Sequence, residues 1–149
     1  MKIAIINLQT YNEFEEILPC LEVLSKEIID AKIDLFIEKQ YEEDFLHLDT
    51  KYTLCTLDMK DMNILDLKFK IDKIRYYSLS KYDIAVDTQG SFKTSLITYL
   101  LCGRTAGYKK SGFISYLSSL FYDEKIIFDA KAKDKNIKNL LSNPFGFSY

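Results

Sequence analysis

The chain opens on Lys2 to Asn7, an apolar run too short for a helix, which predicts a buried strand. Leu8 to Asn12 reads as a polar turn, and Phe14, Ile17, Leu18, Leu21, Leu24 and Ile28 then recur at helical spacing. Asn12 is expected to cap that helix, with Glu13, Glu15 and Glu16 in the first turn, where the helix dipole favours negative charge. Pro19 falls inside the pattern. It either bends the helix or marks its true first turn, leaving residues 9–18 irregular or as a short preceding turn. Lys32 to Glu38 and Tyr52 to Leu57 predict the second and third strands, separated by an acidic loop from Gln40 to Thr50. Ile64 to Leu79 places Ile64, Leu65, Leu67, Ile71, Ile74 and Leu79 on a helical repeat, with Lys68, Lys70, Lys73 and Arg75 outward. Ile84 to Val86 predicts a fourth strand and Thr94 to Cys102 a helix. Ala106 to Tyr108 reads as a short strand, Phe113 to Phe121 as a helix rich in aromatics, Lys125 to Phe128 as a last strand, and about Asp134 to Leu141 as a last helix. Strands alternating with helices imply a doubly wound α/β fold with a mostly parallel sheet.

The 149 residues fit one domain, and a composition of 48% hydrophobic and 28% charged residues argues for a packed core rather than disorder. A net charge of -2 argues against a general nucleic-acid binder. Arg75 and Arg104 are the only arginines, so few bidentate anion clamps are available. Cys20, Cys55 and Cys102 are far apart and show no metal-ligand spacing, so they read as buried free thiols in a reducing, cytoplasmic setting. No metal is expected: His47 is the single histidine, without a neighbouring histidine or cysteine. The amino terminus lacks signal-peptide character, and no apolar stretch is long enough to span a bilayer.

The most informative segment runs from Tyr82 to Ser95. It combines a short strand, Asp87 at that strand's carboxyl end, a turn at Gly90, and a helix opening with Ser91, Lys93, Thr94 and Ser95. Open α/β sheets hold ligands outside the carboxyl ends of their strands, which makes this stretch a candidate site. Asp87 either accepts the turn's amide hydrogens as a structural residue or lines the cleft. No G-x-G-x-x-G, Walker loop or G-x-S-x-G elbow is present, which removes several enzyme classes.

D-x-Q-G-x-x-K-[ST] at Asp87 to Thr94, the glycine-centred Ala106-Gly107-Tyr108, and Leu117 to Asp123 together resemble the N-terminal domain of bacterial lipopolysaccharide heptosyltransferases, especially heptosyltransferase I. The likeness is strongest over residues 82–128. It extends to Met1 to Leu21, with Pro19 where the family has a proline, and to Ala132 to Asn136. It implies a Rossmann-like three-layer sandwich corresponding to one half of a GT-B glycosyltransferase. Residues 1–141 would be the acceptor-binding domain and 142–149 the start of an interdomain linker. On this resemblance the nucleotide-sugar domain is expected to be absent, so no cofactor is expected and ADP-heptose would need that second domain.

The resemblance also assigns roles by position. The family's first loop carries a Gly-Asp pair whose aspartate is the general base, and here Asn12 and Glu13 stand there. Glu13 is therefore the catalytic candidate, with a charge on a solvated first turn as the alternative. Asp87, Thr88, Gln89 and Gly90 would line the acceptor side, and Lys93 near a helix amino end would hold a carboxylate or phosphate. The family's acceptor-binding arginine is replaced by Ile114, which either weakens acceptor binding as the family does it or hands the anion to Lys109 and Lys110. The cluster Phe113, Tyr116, Phe121 and Tyr122 reads as core rather than sugar platform. The implied acceptor is a Kdo–lipid A on the inner membrane's cytoplasmic face, touched peripherally, with a possible second chain supplying the donor domain. The isolated chain would be inactive. The altered loop residues also admit a non-catalytic saccharide-binding or partner-docking module, and a flavodoxin-like regulatory domain is disfavoured for want of an acidic pocket after the first strand.

Overall fold

The computed structural model describes residues 1–48, 50–60, 64–79 and 81–148, with the side chains of 64–68 outside that description. Six strands form one sheet: β1 (Lys2–Ile6), β2 (Lys32–Glu38), β3 (Thr53–Leu57), β4 (Ile84–Asp87), β5 (Thr105–Lys109) and β6 (Glu124–Ile127). Their order is β3-β2-β1-β4-β5-β6, and every pairing is parallel. The sheet is thus wholly rather than mostly parallel, and it is buried from both sides, as parallel sheets require.

Period-two alternation along β1 sends Ile3 and Ile5 to one face and Ala4 and Ile6 to the other. The first face packs against α1 (Tyr11–Glu15), α2 (Leu18–Glu27) and α7 (Lys133–Leu140) through Phe14, Leu21, Leu24, Ile137 and Leu140. The second packs against α4 (Ile64–Ser78) and α5 (Phe92–Leu101) through Ile74, Ile97 and Leu101. α6 (Phe113–Ser119) lies beside α5 on that second face, against β5. The Rossmann-like three-layer sandwich expected from the sequence is what forms.

Local chemistry explains most boundaries. Pro19 sits in the first turn of α2, where its missing N–H costs nothing, and the short α1 precedes it. Thr10, not Asn12, caps α1: Glu13 Oε2 accepts from the Thr10 amide at 3.2 Å and from its hydroxyl at 2.9 Å. The residues expected to loop from Gln40 to Thr50 instead make helical turns, Lys39–Tyr41, α3 (Glu42–Phe45) and Leu46–Leu48. Phe45 and Leu48 draw them onto the core, and three acidic residues favour the first turn of α3. Leu79, expected on the core face of α4, is exposed because the helix ends at Ser78; the side chains of Ile64, Leu65, Leu67 and Lys68 lie outside the described residues. Cys20 and Cys55 are buried cysteines outside any disulfide and Cys102 is half-buried; burial pushes the Cys55 thiol up to about 12. Residues 142–148 lie against the domain, with Pro144 buried and Phe145 and Phe147 packed on the core.

Gly107 leaves no room for a side chain. It faces the α5–α6 layer beneath the buried Tyr122 ring, and an added Cβ would stand 2.3 Å from Tyr122 Cζ. Moving that ring aside would disturb its hydrogen bond to Asp87. Gly107→Ala is expected to lower unfolding free energy by about 1–3 kcal/mol, the usual cost of overpacking a core. Urea denaturation followed by circular dichroism would measure it.

Candidate functional site

The strand order reverses between β1 and β4. The chain leaves β1 toward β2 and β3, then crosses to β4 and proceeds the other way. The loops after β1 and β4 therefore diverge and leave a crevice at the carboxyl edge of the sheet, the usual ligand position in such folds. Here they are tied across the gap. Asn7 Nδ2 donates to Thr88 Oγ1 at 2.9 Å, the Thr88 hydroxyl donates to the Ile6 carbonyl at 3.1 Å, and the Leu8 amide donates to Gln89 Oε1 at 3.3 Å.

The crevice opens into a cleft of about 170 Å³. Its walls are Gln9, Glu13 and Glu16 on the α1 side, Thr88 and Gln89 from the β4 loop, and Lys110, Phe128 and Lys133 from β5 onward. A complete small-molecule pocket runs to roughly 300–1,000 Å³. This cleft is smaller, with charges of both signs among its walls.

Asp87 does not reach the cleft. It has no exposed surface, and both its carboxylate oxygens are used within the protein. Oδ1 accepts the amides of Gln89 and Gly90, each at 2.9 Å, and Oδ2 accepts the Tyr122 hydroxyl at 2.5 Å. Burial holds its carboxyl above the ordinary aspartate value, while the Tyr122 hydroxyl and the loop amides pull it back down. The structural alternative for Asp87 is the one the geometry realises. Gly90 then turns at φ +71, a conformation glycine adopts without strain. Ser91 next caps α5, its Oγ accepting the Thr94 amide at 3.2 Å.

The other residues singled out in the sequence divide. Glu13 lines the cleft; its Oε2 is held by Thr10, while Oε1 has no hydrogen-bond partner among the described residues. Thr88, Gln89 and Lys110 line it too. Lys110 Nζ donates to the Gln89 carbonyl at 2.7 Å and lies 5.0 Å from the Phe128 ring centre. Burial lowers its pKa, and the Asp87 charge raises it. Gly90 leaves room for this lysine, since a Cβ there would meet Lys110 Cε at 3.3 Å. Asn12 is exposed on α1 and Lys109 at the end of β5; neither is part of the cleft wall. Lys93 is also outside it, because its ammonium donates to the Met59 carbonyl at 2.7 Å and braces the loop after β3 instead.

Asn7, Gln9, Glu16, Lys133 and Tyr122 complete the site or its support, and sequence reasoning passed over them. Asn7 carried a usable signal, a polar residue ending a buried strand. Tyr122 carried none, since it meets Asp87 across 35 positions. The aromatic cluster divides as well: Tyr122 is core and Phe121 is half-buried against Phe92 and Tyr99, whereas Phe113 (77% exposed) and Tyr116 stand in solvent. Among the described residues no group of histidine, cysteine or acidic side chains is arranged to hold a metal ion.

No protein-family model matches the chain, and no curated protein matches it. Solved structures do. An E. coli heptosyltransferase WaaC structure with ADP superposes with a TM-score of 0.78 at 18% identity, over 99% of this chain and 48% of that one. E. coli ADP-heptose lps heptosyltransferase II gives 0.76 at 13% identity, over 95% and 40%. A glycosyl transferase family 9 structure from Veillonella parvula gives 0.71 at 19%, over 96% and 41%. The chain therefore spans about half the length of these structures and shares its fold with that half.

The Asp87 carboxyl sets a pH signature. Its folded value is raised, so the stability linked to its proton is present below the unfolded value and is lost as pH rises through the folded value. Asp87→Asn cannot lose that proton. The stability of the variant relative to wild type is expected to rise with pH across that window, measured by urea denaturation at successive pH values.

Proposed function

We propose that this chain is the acceptor-binding half of a heptosyltransferase-like glycosyltransferase, transferring heptose from ADP-heptose to a Kdo hydroxyl of a lipopolysaccharide inner core. The observation that carries the proposal is the likeness of nearly the whole chain to half of a heptosyltransferase bound to ADP. The cleft supports it, opening at the carboxyl edge of the sheet with a carboxylate, amide and hydroxyl groups, and two lysines on its rim.

In this reading the acceptor hydroxyl attacks the anomeric carbon of the heptose. A carbon–oxygen bond forms there as the bond to the diphosphate breaks, ADP leaves with that electron pair, and the hydroxyl proton passes to Glu13 Oε1. Configuration inverts. No metal ion takes part. The nucleotide-sugar is held by a second domain, in the same polypeptide or another chain, so the isolated chain transfers nothing. Glu13 is one methylene longer than the aspartate the resemblance expects, and Thr10 restrains its other oxygen. Misplacing a base by about an ångström can cost on the order of a hundredfold in rate. That restraint also favours the second reading, a non-catalytic saccharide-binding module.

Membrane contact is part of the same proposal. Phe113, Ile114, Tyr116 and Leu120 are exposed apolar side chains on and beside α6, a few residues after the exposed Lys109. Apolar side chains beside lysines suit an anionic lipid surface. Among the described residues no helix is long and apolar enough to cross a membrane.

Two experiments test this. Titrating Kdo–lipid A in detergent should show binding by the wild-type chain, with at least a tenfold loss in Glu13→Ala plus Lys110→Ala. ADP-heptose should yield product only when a donor domain is added. Binding without transfer under any donor supply would favour the non-catalytic module, and no binding would remove the acceptor assignment. In flotation assays with phosphatidylglycerol vesicles, the chain should float, and Phe113→Ser with Ile114→Ser should abolish flotation.

A further inference from the structure

Lys110 and Lys133 reach the same cleft from different elements, and their partners differ in kind. Lys110 is half-buried, and its ammonium contacts the neutral Gln89 carbonyl and the faces of the Phe128 and Tyr108 rings, with the buried Asp87 charge acting on it from beyond ion-pair distance. No carboxylate lies within ion-pair distance of it among the described residues. Burial outweighs the distant Asp87 charge, so the cation is only partly compensated, and an arriving anion recovers that cost. Lys133, the first residue of α7, pairs with Glu16 at the end of α1. The two side chains are 63% and 48% exposed, so water screens the pair and it opens cheaply. Both residues of the pair are among the walls of the cleft.

We propose that Lys110 and Lys133 form an anion seat for a carboxylate- or phosphate-bearing sugar, and that Glu16 is its resident counter-ion, displaced when the ligand binds. This rests on the acceptor reading above for the ligand being a sugar. The lysine pair takes over the task the sequence suggested for Lys93, whose ammonium is committed elsewhere. An incoming anion exchanges one solvent-screened pair for contacts with two cations, one of them half-buried. The released Glu16 carboxylate turns to water at little cost. Glu16 thereby sets a threshold: neutral sugars and weak anions do not open the seat.

The test is a titration of the full chain with inorganic phosphate and with the free Kdo monosaccharide, followed by calorimetry. Glu16→Gln removes the competitor and should tighten binding of whichever probe the seat accepts by about threefold or more, an improvement a damaged fold would not produce. Lys133→Gln and Lys110→Gln should each weaken it at least fivefold, and Lys93→Gln should leave it unchanged. Preference for one probe identifies the anionic group and supports the seat. Unchanged or weaker binding by Glu16→Gln, with an intact thermal melt, would overturn the proposal and leave the pair as a brace between α1 and α7. So would the absence of binding by wild type to both probes. Phosphate binding that follows this pattern, together with failure to bind Kdo–lipid A, would keep the seat and discard the acceptor reading.

Discussion

A carboxylate with no exposed surface holds the loop on which the cleft depends. Asp87 ends a central strand, pointing into the α5–α6 layer, where an unpaired charge would be costly. Every bond it makes has a consequence. Two loop amides on Oδ1 curl the chain at Gln89 and Gly90, so that the Gln89 carbonyl receives Lys110 and its side chain receives the Leu8 amide. The Tyr122 hydroxyl on Oδ2 requires the ring to cross the neighbouring strand, which is possible only because Gly107 stands opposite Asp87 in register. Three short segments, far apart in sequence, are one mechanical unit.

That unit separates positioning from contact. The residues that could touch a ligand are on the rim: Glu13 and Glu16 from the α1 side, Thr88 and Gln89 from the β4 loop, Lys110 and Lys133 opposite. None is deeply buried, and their charges are of both signs. The fold that carries this rim corresponds to about half of the structures it resembles.

The sheet was legible in the sequence because buried parallel strands are short apolar runs bounded by turn residues, and KIDLFIE falls on β2 residue for residue. The Asp87–Gly90 turn was legible for a similar reason, since its chemistry is local. Three features were not. Thr10 competes with Asn12 for the same cap, and the winner depends on where Glu13 can reach back. The acidic stretch after β2 looks like a loop until Phe45 and Leu48 find the core. Which lysine serves the cleft depends on side-chain direction: Lys93 follows the helix toward Met59, while Lys110 folds back over Gly90. Pairings such as Tyr122 with Asp87 or Lys133 with Glu16 exist only once the sheet has assembled.

The central claim is that a sugar acceptor binds at the carboxyl edge between β1 and β4, on a loop held by Asp87. Amide chemical-shift mapping of the labelled chain during titration with a soluble Kdo-bearing oligosaccharide tests it most directly. The account predicts saturable shifts at Gln9, Glu13, Thr88, Gln89 and Lys110, with Asp123 and Arg104 at the opposite edge unmoved. Shifts concentrated at that opposite edge, or along α5 and α6 with the cleft silent, would contradict it.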